Sequence, residues 1–110
     1  MKRTFIETKY FTNKWQSLGF SDSDLAELQN ELLDNPKIGT VMQGTGGLRK
    51  MRFSFENRGK SASARICYLD IEAREELHLI DVFAKNEKDN LSKAERNAIK
   101  KLVKFIKEFG

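Results

Sequence analysis

The spacing of apolar residues changes from helical to strand-like midway along the chain, and this change limits what the chain can fold into. Before Pro36, apolar residues recur every three or four positions, which is the period of an α-helix. After Leu48 they alternate with polar residues, which is the period of a β-strand. The sequence therefore predicts an N-terminal helical layer followed by a sheet.

The helical part begins after a short β-branched and aromatic segment at 4–7, which is expected to form a first strand. Residues 8–18 are predicted to form one helix. Ser21, followed three residues later by Asp24, is typical of the start of a second. This second helix should end near Asn35, because the residue before a proline is disfavoured in the helical conformation. The two helices are expected to form a hairpin whose apolar seam faces a sheet.

The second half of the chain is predicted to contain three strands and one helix. The strands are expected at 48–55, 64–71 and 77–84, with polar turns at 57–60 and 72–75. Ser92 and Glu95 have the spacing of a capping box that opens the last helix.

The predicted order is β-α-α-β-β-β-α in a single domain covering residues 1–110. It describes an α+β fold with a small, mainly antiparallel sheet, an N-terminal helical hairpin and a C-terminal helix. The helices are expected to cover one face of the sheet, which would leave the other face open for a substrate.

Positive charge is concentrated in the middle of the chain. Residues 44–68 hold six cations and one acid, whereas residues 69–110 hold nine of each, and the net charge of the whole chain is +4. A local excess of this kind attracts phosphate groups. The alternative interpretation is a solvated basic face without a partner.

Several classes of protein are disfavoured by composition. No apolar run approaches the roughly 20 residues of a membrane span, and no signal peptide is evident at the N-terminus. The single cysteine, Cys67, suits a reducing compartment, so a cytoplasmic location is expected. Because only one histidine, His78, accompanies it, neither a zinc site nor any other metal or cofactor is expected.

The glycine-rich run Gly44–Lys50 does not match a known nucleotide-binding loop. It lacks the glycine and lysine spacing of a P-loop, and a strand instead of a helix follows it. The run is better interpreted as a turn that delivers cations onto the sheet.

Three segments in order resemble one protein family: Gly44–Lys50, Ala64–Tyr68 and Phe83–Glu87. Together with Asn35–Gly39, they resemble the HigB-type host-inhibition toxins of the RelE/ParE superfamily of bacterial toxin–antitoxin systems. The resemblance implies a RelE-like fold and metal-independent, ribosome-dependent cleavage of messenger RNA, which inhibits translation. It also implies neutralisation by a cognate helix-turn-helix antitoxin of the HigA type, with operator DNA contacted only through that antitoxin.

Metal-free RNA cleavage suggests roles for the residues that match the family. Arg65, Lys85 and Arg49 are the predicted catalytic residues, because arginine holds phosphate oxygens with its planar fork and lysine can transfer a proton. Glu87 is a possible acid or base, or else an acid that precedes the last helix. The predicted RNA-binding residues are Lys50, Arg52, Arg58, Lys60, Tyr68, Phe83 and Asn86.

Two points remain open from the sequence. Tyr68 and Phe83 have the character of base-stacking residues but also of core residues. The function itself has two alternatives: a non-catalytic inhibitor of a host protein such as DNA gyrase, as in ParE-like toxins, and a simple RNA-binding module.

Overall fold

The sheet has five strands and is covered by helices on both faces. The computed structural model describes residues 2–54, 63–84 and 91–110. The elements along the described chain are β1 (Thr4–Glu7), α1 (Lys9–Ser17), α2 (Asp22–Asp34), β2 (Thr40–Val41), β3 (Arg49–Ser54), β4 (Ser63–Ile71), β5 (Glu76–Ala84) and α3 (Lys93–Phe109). The strands lie in the order β1-β5-β4-β3-β2, and only the β1–β5 pair is parallel.

Helix starts agree with the predicted capping signals. Ser21 and Asp24 form a capping box at α2, and Ser92 and Glu95 form a second one at α3. Each pair satisfies two backbone N–H groups that would otherwise lack partners. Thr8 caps α1 by accepting a 2.9 Å hydrogen bond from the backbone N–H of Phe11.

The predicted strands are confirmed, and the structure adds a short 3-10 helix and a two-residue strand. The turn at 72–75 is a short 3-10 helix, Glu72–Arg74, followed by Glu75 in the left-handed region at φ 54°. A two-residue edge strand, β2, was not predicted from the sequence because it is too short to show alternation. The predicted turn at 57–60 lies outside the described residues.

The expectation that helices cover only one face is wrong. Ile66 and Tyr68 of β4 belong to a core beneath α1 and α2, whereas Cys67 and Leu69 belong to a second core beneath α3. Successive side chains of a strand point to opposite faces, so the four successive apolar residues 66–69 of β4 require cover on both faces. The C-terminal helix therefore packs on the face that was expected to be open.

A β-bulge in β5 determines which side chains of this strand point toward α3. The β4–β5 register shifts between Cys67 and Tyr68, and the backbone N–H of Val82 donates a 2.8 Å hydrogen bond to Asp81 Oδ1. The extra residue interrupts strict alternation. As a result Ile80 and Phe83, three positions apart, both enter the core beneath α3.

The end of α3 is tied to two other parts of the fold. Arg74 Nη1 donates 2.9 Å hydrogen bonds to the carbonyl oxygens of Ile106 and Gly110, and its Nη2 donates to Lys107. Lys107 Nζ in turn donates to the carbonyl oxygen of Gly46. A cation at a helix C-terminus also interacts favourably with the helix dipole, so Arg74 fixes the position of α3 on the sheet.

Candidate functional site

The glycine-rich run forms the turn between β2 and β3. Thr45 is fully buried, and its hydroxyl donates a 2.6 Å hydrogen bond to the carbonyl oxygen of Met42. The same hydroxyl accepts a hydrogen bond from the N–H of Leu48. Gly44 and Gly46 have φ near +75°, which other L residues adopt only at a cost. The prediction that these glycines bend the chain into β3 is confirmed.

Three of the predicted cations lie on one face of the sheet, at the β3–β4 pair. Lys50 pairs with Cys67, and Arg65 pairs with Phe83 on β5. Cys67 and Phe83 point into the core beneath α3, and paired residues point to the same face. Lys50, Arg52 and Arg65 therefore project on the α3 side.

The two arginines of this group are directly opposite each other. Arg52 on β3 is the register partner of Arg65 on β4. Like charges at such a position destabilise a sheet, because the paired Cβ atoms are only about 4.5–5.5 Å apart. An anion between two guanidinium groups would remove that penalty and would be held by charge-assisted hydrogen bonds. This pair is the geometric centre of the candidate site.

Helix α3 contributes a cation that the sequence reasoning missed. Arg96 and Lys50 line one open cavity of about 270 Å³, together with residues 40–43. Arg96 is half-buried in the first turns of α3. Arg96 reaches this cavity only because α3 packs on this side of the sheet. The local sequence pattern does not predict on which side α3 packs.

The two helical layers carry opposite charges. Helix α2 holds five acids and no cation, whereas α3 holds six cations and two acids. Burial and the neighbouring carboxylates Asp34 and Glu27 raise the pKa of Glu31 on α2, as expected where negative charge is crowded. An anionic polymer is therefore repelled from the α2 side and attracted to the α3 side.

Arg49 is not part of this cluster. It pairs with Tyr68, which points into the core beneath α1 and α2, so Arg49 lies on the opposite face from Arg65. Its Nη1 donates hydrogen bonds of 2.7 Å to the carbonyl of Gly39 and 3.2 Å to that of Lys37. The assignment of Arg49 as a catalytic partner of Arg65 does not fit this geometry. The side chain instead holds the segment that leads into β2.

The two aromatic residues proposed to stack bases are core residues. Tyr68 is fully buried, and its hydroxyl donates to the carbonyl of Pro36 and accepts from the N–H of Gly39, both at 2.8 Å. Burial raises the pKa of Tyr68, and the Gly39 hydrogen bond and the charge of Arg49 partly offset that rise. Phe83 is also buried. Neither ring face is available to a base, so the stacking prediction is wrong for both.

The remaining predicted site residues lie outside the described residues. They are Arg58, Lys60, Lys85, Asn86 and Glu87. The described part of β5 ends at Ala84, which pairs with Ala64 beside Arg65.

Comparison with known families decides the class of the protein. Residues 2–109 match the family described as the RelE toxin of the RelE / RelB toxin–antitoxin system. The chain belongs to the RelE toxin family. It is a RelE-like toxin of a toxin–antitoxin system, and the three α-helices and mostly antiparallel five-stranded sheet of its described residues have the RelE fold.

Solved structures of Escherichia coli RelE share the fold of this RelE-family toxin. The intact E. coli RelBE toxin–antitoxin complex contains a chain 16% identical to it, with a TM-score of 0.56 over 76% of this chain and 96% of that one. An arginine-to-alanine double variant of E. coli RelE in the free state is 17% identical, with a TM-score of 0.54 over the whole of both chains. The same variant in complex with an antitoxin RelBc peptide is 14% identical, with a TM-score of 0.53 over 84% of this chain and all of that one.

Among the described residues of this RelE-family toxin, no helix is both long enough and apolar enough to cross a bilayer.

Proposed function

We propose that this RelE-family toxin is a HigB-type mRNA interferase, which cuts messenger RNA on the translating ribosome without a metal ion and so inhibits translation. The observation that carries the proposal is the group of cations Lys50, Arg52 and Arg65 on one face of β3 and β4. Arg96 extends this group across the cavity beside α3. A path of cations from several elements suits a phosphodiester backbone better than it suits a small ligand.

The proposed reaction uses the substrate's own 2′-hydroxyl as nucleophile. That oxygen loses its proton and attacks the adjacent phosphorus, and the bond to the 5′-oxygen breaks as this oxygen gains a proton. Arg65 stabilises the additional negative charge on the phosphorane, since preorganised donors act most strongly where charge develops. Its Nη1 is buried, so the guanidinium meets the phosphate in a partly desolvated environment, which strengthens the interaction.

The proton-transfer roles fall to residues near the end of β5. Lys85 is proposed to protonate the leaving oxygen, with Glu87 as a possible base and Asn86 as an RNA contact, on the basis of the family resemblance. Arg58 and Lys60 are proposed RNA contacts on the same basis. Arg49 supports the site indirectly through the segment that it holds.

The proposed partners follow from the family. We propose that the toxin is neutralised in the cytoplasm by a cognate helix-turn-helix antitoxin of the HigA type, which alone contacts operator DNA. A non-catalytic inhibitor of DNA gyrase is less well supported, because binding a protein requires no set of phosphate-binding arginines.

Ribosome dependence provides the direct test of this function. We expect the purified chain to cut a reporter mRNA in a translation reaction, and to leave the same mRNA intact when ribosomes are omitted. Mapping of the transcript ends would identify the cuts, and a mock purification from cells that lack the toxin, added to the same reaction, would exclude contaminating nucleases. Equal degradation of naked RNA would contradict the ribosome-dependent mechanism, and an absence of cleavage in both reactions would contradict the nuclease.

The role of Arg96 can be tested through salt dependence. We expect Arg96→Gln to weaken binding of a short single-stranded RNA and to reduce the slope of log K against log salt by about 0.7, the value of one phosphate contact on a single strand. Lys101→Gln is the matched control, because it removes the same charge from an exposed position on the same helix. If both variants show the same slope as the parent, Arg96 makes no phosphate contact.

A further inference from the structure

The cations of helix α3 are concentrated on one of its flanks. Five of the six follow one another at spacings of three, four, four and three positions, which is close to the period of an α-helix, so they form a single row. At a rise of about 1.5 Å per residue, this row is about 21 Å long. It is here named the basic row, and its members are Lys93, Arg96, Lys100, Lys104 and Lys107.

Two cavities show that the basic row faces the turn between β2 and β3. Arg96 lines the cavity that also holds Lys50 and residues 40–43. A second open cavity, of about 310 Å³, is lined by Gly46 of the turn and by three members of the row: Lys100, Lys104 and Lys107. Lys107 Nζ also donates a hydrogen bond to the carbonyl oxygen of Gly46. The basic row therefore begins beside the candidate site and continues along the turn to the end of α3.

The local charge on this flank is positive when the neighbouring acids are included. Glu108 lines the second cavity, where three lysines outnumber it. Glu95 lines a cavity on the other flank of α3, and its Oε1 accepts a 2.8 Å hydrogen bond from the backbone N–H of Ser92. The facing segment, residues 35–54, contains no acid. An anion is therefore attracted along the whole of this flank.

The length of the basic row indicates a polyanion as its ligand. Cations spread over about 21 Å suit a chain of phosphates, whereas a single phosphate ion contacts only one part of such a row. Lysine suits a flexible backbone, because its ammonium is a compact point charge on a flexible stem. Lys50 lies on the same face of β3 as Arg52, two positions away, so a strand bound between Arg52 and Arg65 reaches the basic row by way of Lys50 and Arg96.

We infer that the basic row binds the phosphate backbone of single-stranded RNA on one side of the cut, outside the candidate site. The strand passes from Arg96 to Lys100 and Lys104, while Lys107 holds the turn at the far end. The inference rests on the proposed function for the identity of the strand. It adds a second set of contacts, which only an RNA longer than the candidate site can make.

Two fluorescein-labelled oligouridylates of different length test the inference. One has about three nucleotides and fills only the candidate site, and the other has about ten and extends along the row. We expect the parent protein to bind the longer RNA with a slope of log K against log salt that is steeper by about 1.4, which corresponds to two further phosphate contacts. The double variant Lys100→Gln with Lys104→Gln should reduce the slope for the longer RNA by about 1.4 and should affect the shorter RNA far less.

Lys9→Gln combined with Lys101→Gln is the matched control. It removes the same two charges from exposed positions outside the basic row, on α1 and on α3. This variant should keep the difference in slope between the two RNAs, and circular dichroism should show both double variants folded. Equal slopes for the two RNAs with the parent protein, or equal losses in the two double variants, would overturn the inference. So would tighter binding of an RNA duplex of the same length that the Lys100 and Lys104 substitutions weaken, because the row would then recognise structured RNA.

Cleavage on the ribosome, measured separately, distinguishes this inference from the proposed function. A parent protein that cuts mRNA but binds both RNAs with equal slopes would overturn the role of the basic row and leave the nuclease intact. A length-dependent slope that the Lys100 and Lys104 substitutions remove, without cleavage by the parent, would support the basic row and contradict the nuclease.

Discussion

Replacing Arg65 by alanine is expected to abolish growth arrest and to reduce mRNA cleavage on the ribosome by about 10²–10³-fold, the loss seen when one preorganised charge-stabilising donor is removed. Arg65 lies near the start of β4, opposite Arg52 on β3 and Phe83 on β5, so its backbone is fixed by a strand on each side. Removing it takes away both the charge and the planar fork that can bind two phosphate oxygens.

Arg65→Lys separates these two contributions. It keeps the charge but not the fork, and we expect a loss of cleavage between that of the parent and that of the alanine variant. Lys9→Ala, which removes an exposed cation at the start of α1, is the control and should remain toxic. Thermal unfolding would show that each variant is folded. Full toxicity of a folded Arg65→Ala variant would contradict the proposed catalytic role.

The second large effect is expected at the buried ion pair between Arg3 and Asp70. Arg3 Nε and Nη2 donate hydrogen bonds of 2.7 and 3.3 Å to the two carboxylate oxygens, and the side chains are only 5% and 3% exposed. The hydrogen bond to Asp70 raises the pKa of Arg3, so the guanidinium stays charged. Asp70→Ala leaves that charge buried without its partner, and we expect the free energy of unfolding to fall by about 3–5 kcal/mol.

A double variant distinguishes a lost partner from a lost side chain. Arg3→Met combined with Asp70→Leu removes both charges while retaining most of the volume, so its stability should return to within about 1–2 kcal/mol of the parent. The exposed pair Lys37–Glu72, with nitrogen and oxygen 3.5 Å apart, is the control. Lys37→Ala should change the free energy of unfolding by less than about 1 kcal/mol. Similar chemical denaturation curves for Asp70→Ala and Lys37→Ala would contradict the prediction.

Local signals in the sequence predicted most of the elements of this fold. The serine caps of α2 and α3 act within four residues of the chain, so their sequence patterns specify helix starts directly. Alternation likewise located β3, β4 and β5 to within about two residues. The β2 strand was not predicted because two residues carry no period.

The candidate site was only partly predictable because it depends on packing between distant elements. Which face α3 covers is decided by its fit to the sheet, so neither Arg96 nor the covering of the α3 side could be inferred from local pattern. The β-bulge in β5 opposite Cys67 was also not predictable from local pattern, since it is defined only by the register between β4 and β5. Tyrosine and phenylalanine occur both in cores and at binding surfaces, so residue type alone did not assign Tyr68 and Phe83 to either. Only their burial in the structure shows that they are core residues.

The positive charge of α3 was not apparent from the sequence because charge was counted over a long segment. Residues 69–110 contain equal numbers of acids and cations, so this half of the chain seemed neutral. In the fold, the acids of the segment before α3 and the cations of α3 occupy different elements. A window confined to one helix would have revealed the excess.

The parallel pairing of β1 with β5 has a consequence for how the chain is made. Thr4 is paired in register with Glu76, which is synthesised 72 residues later, so β1 has no partner until β5 has been translated. Non-local pairing of this kind slows folding, because the closure entropy of a long loop is lost before contacts are gained. The core beneath α3 forms later still, since α3 follows β5 in the chain. The native arrangement of Lys50, Arg65 and Arg96 is therefore assembled only after α3 has been translated, although two of these three residues lie on strands that precede it.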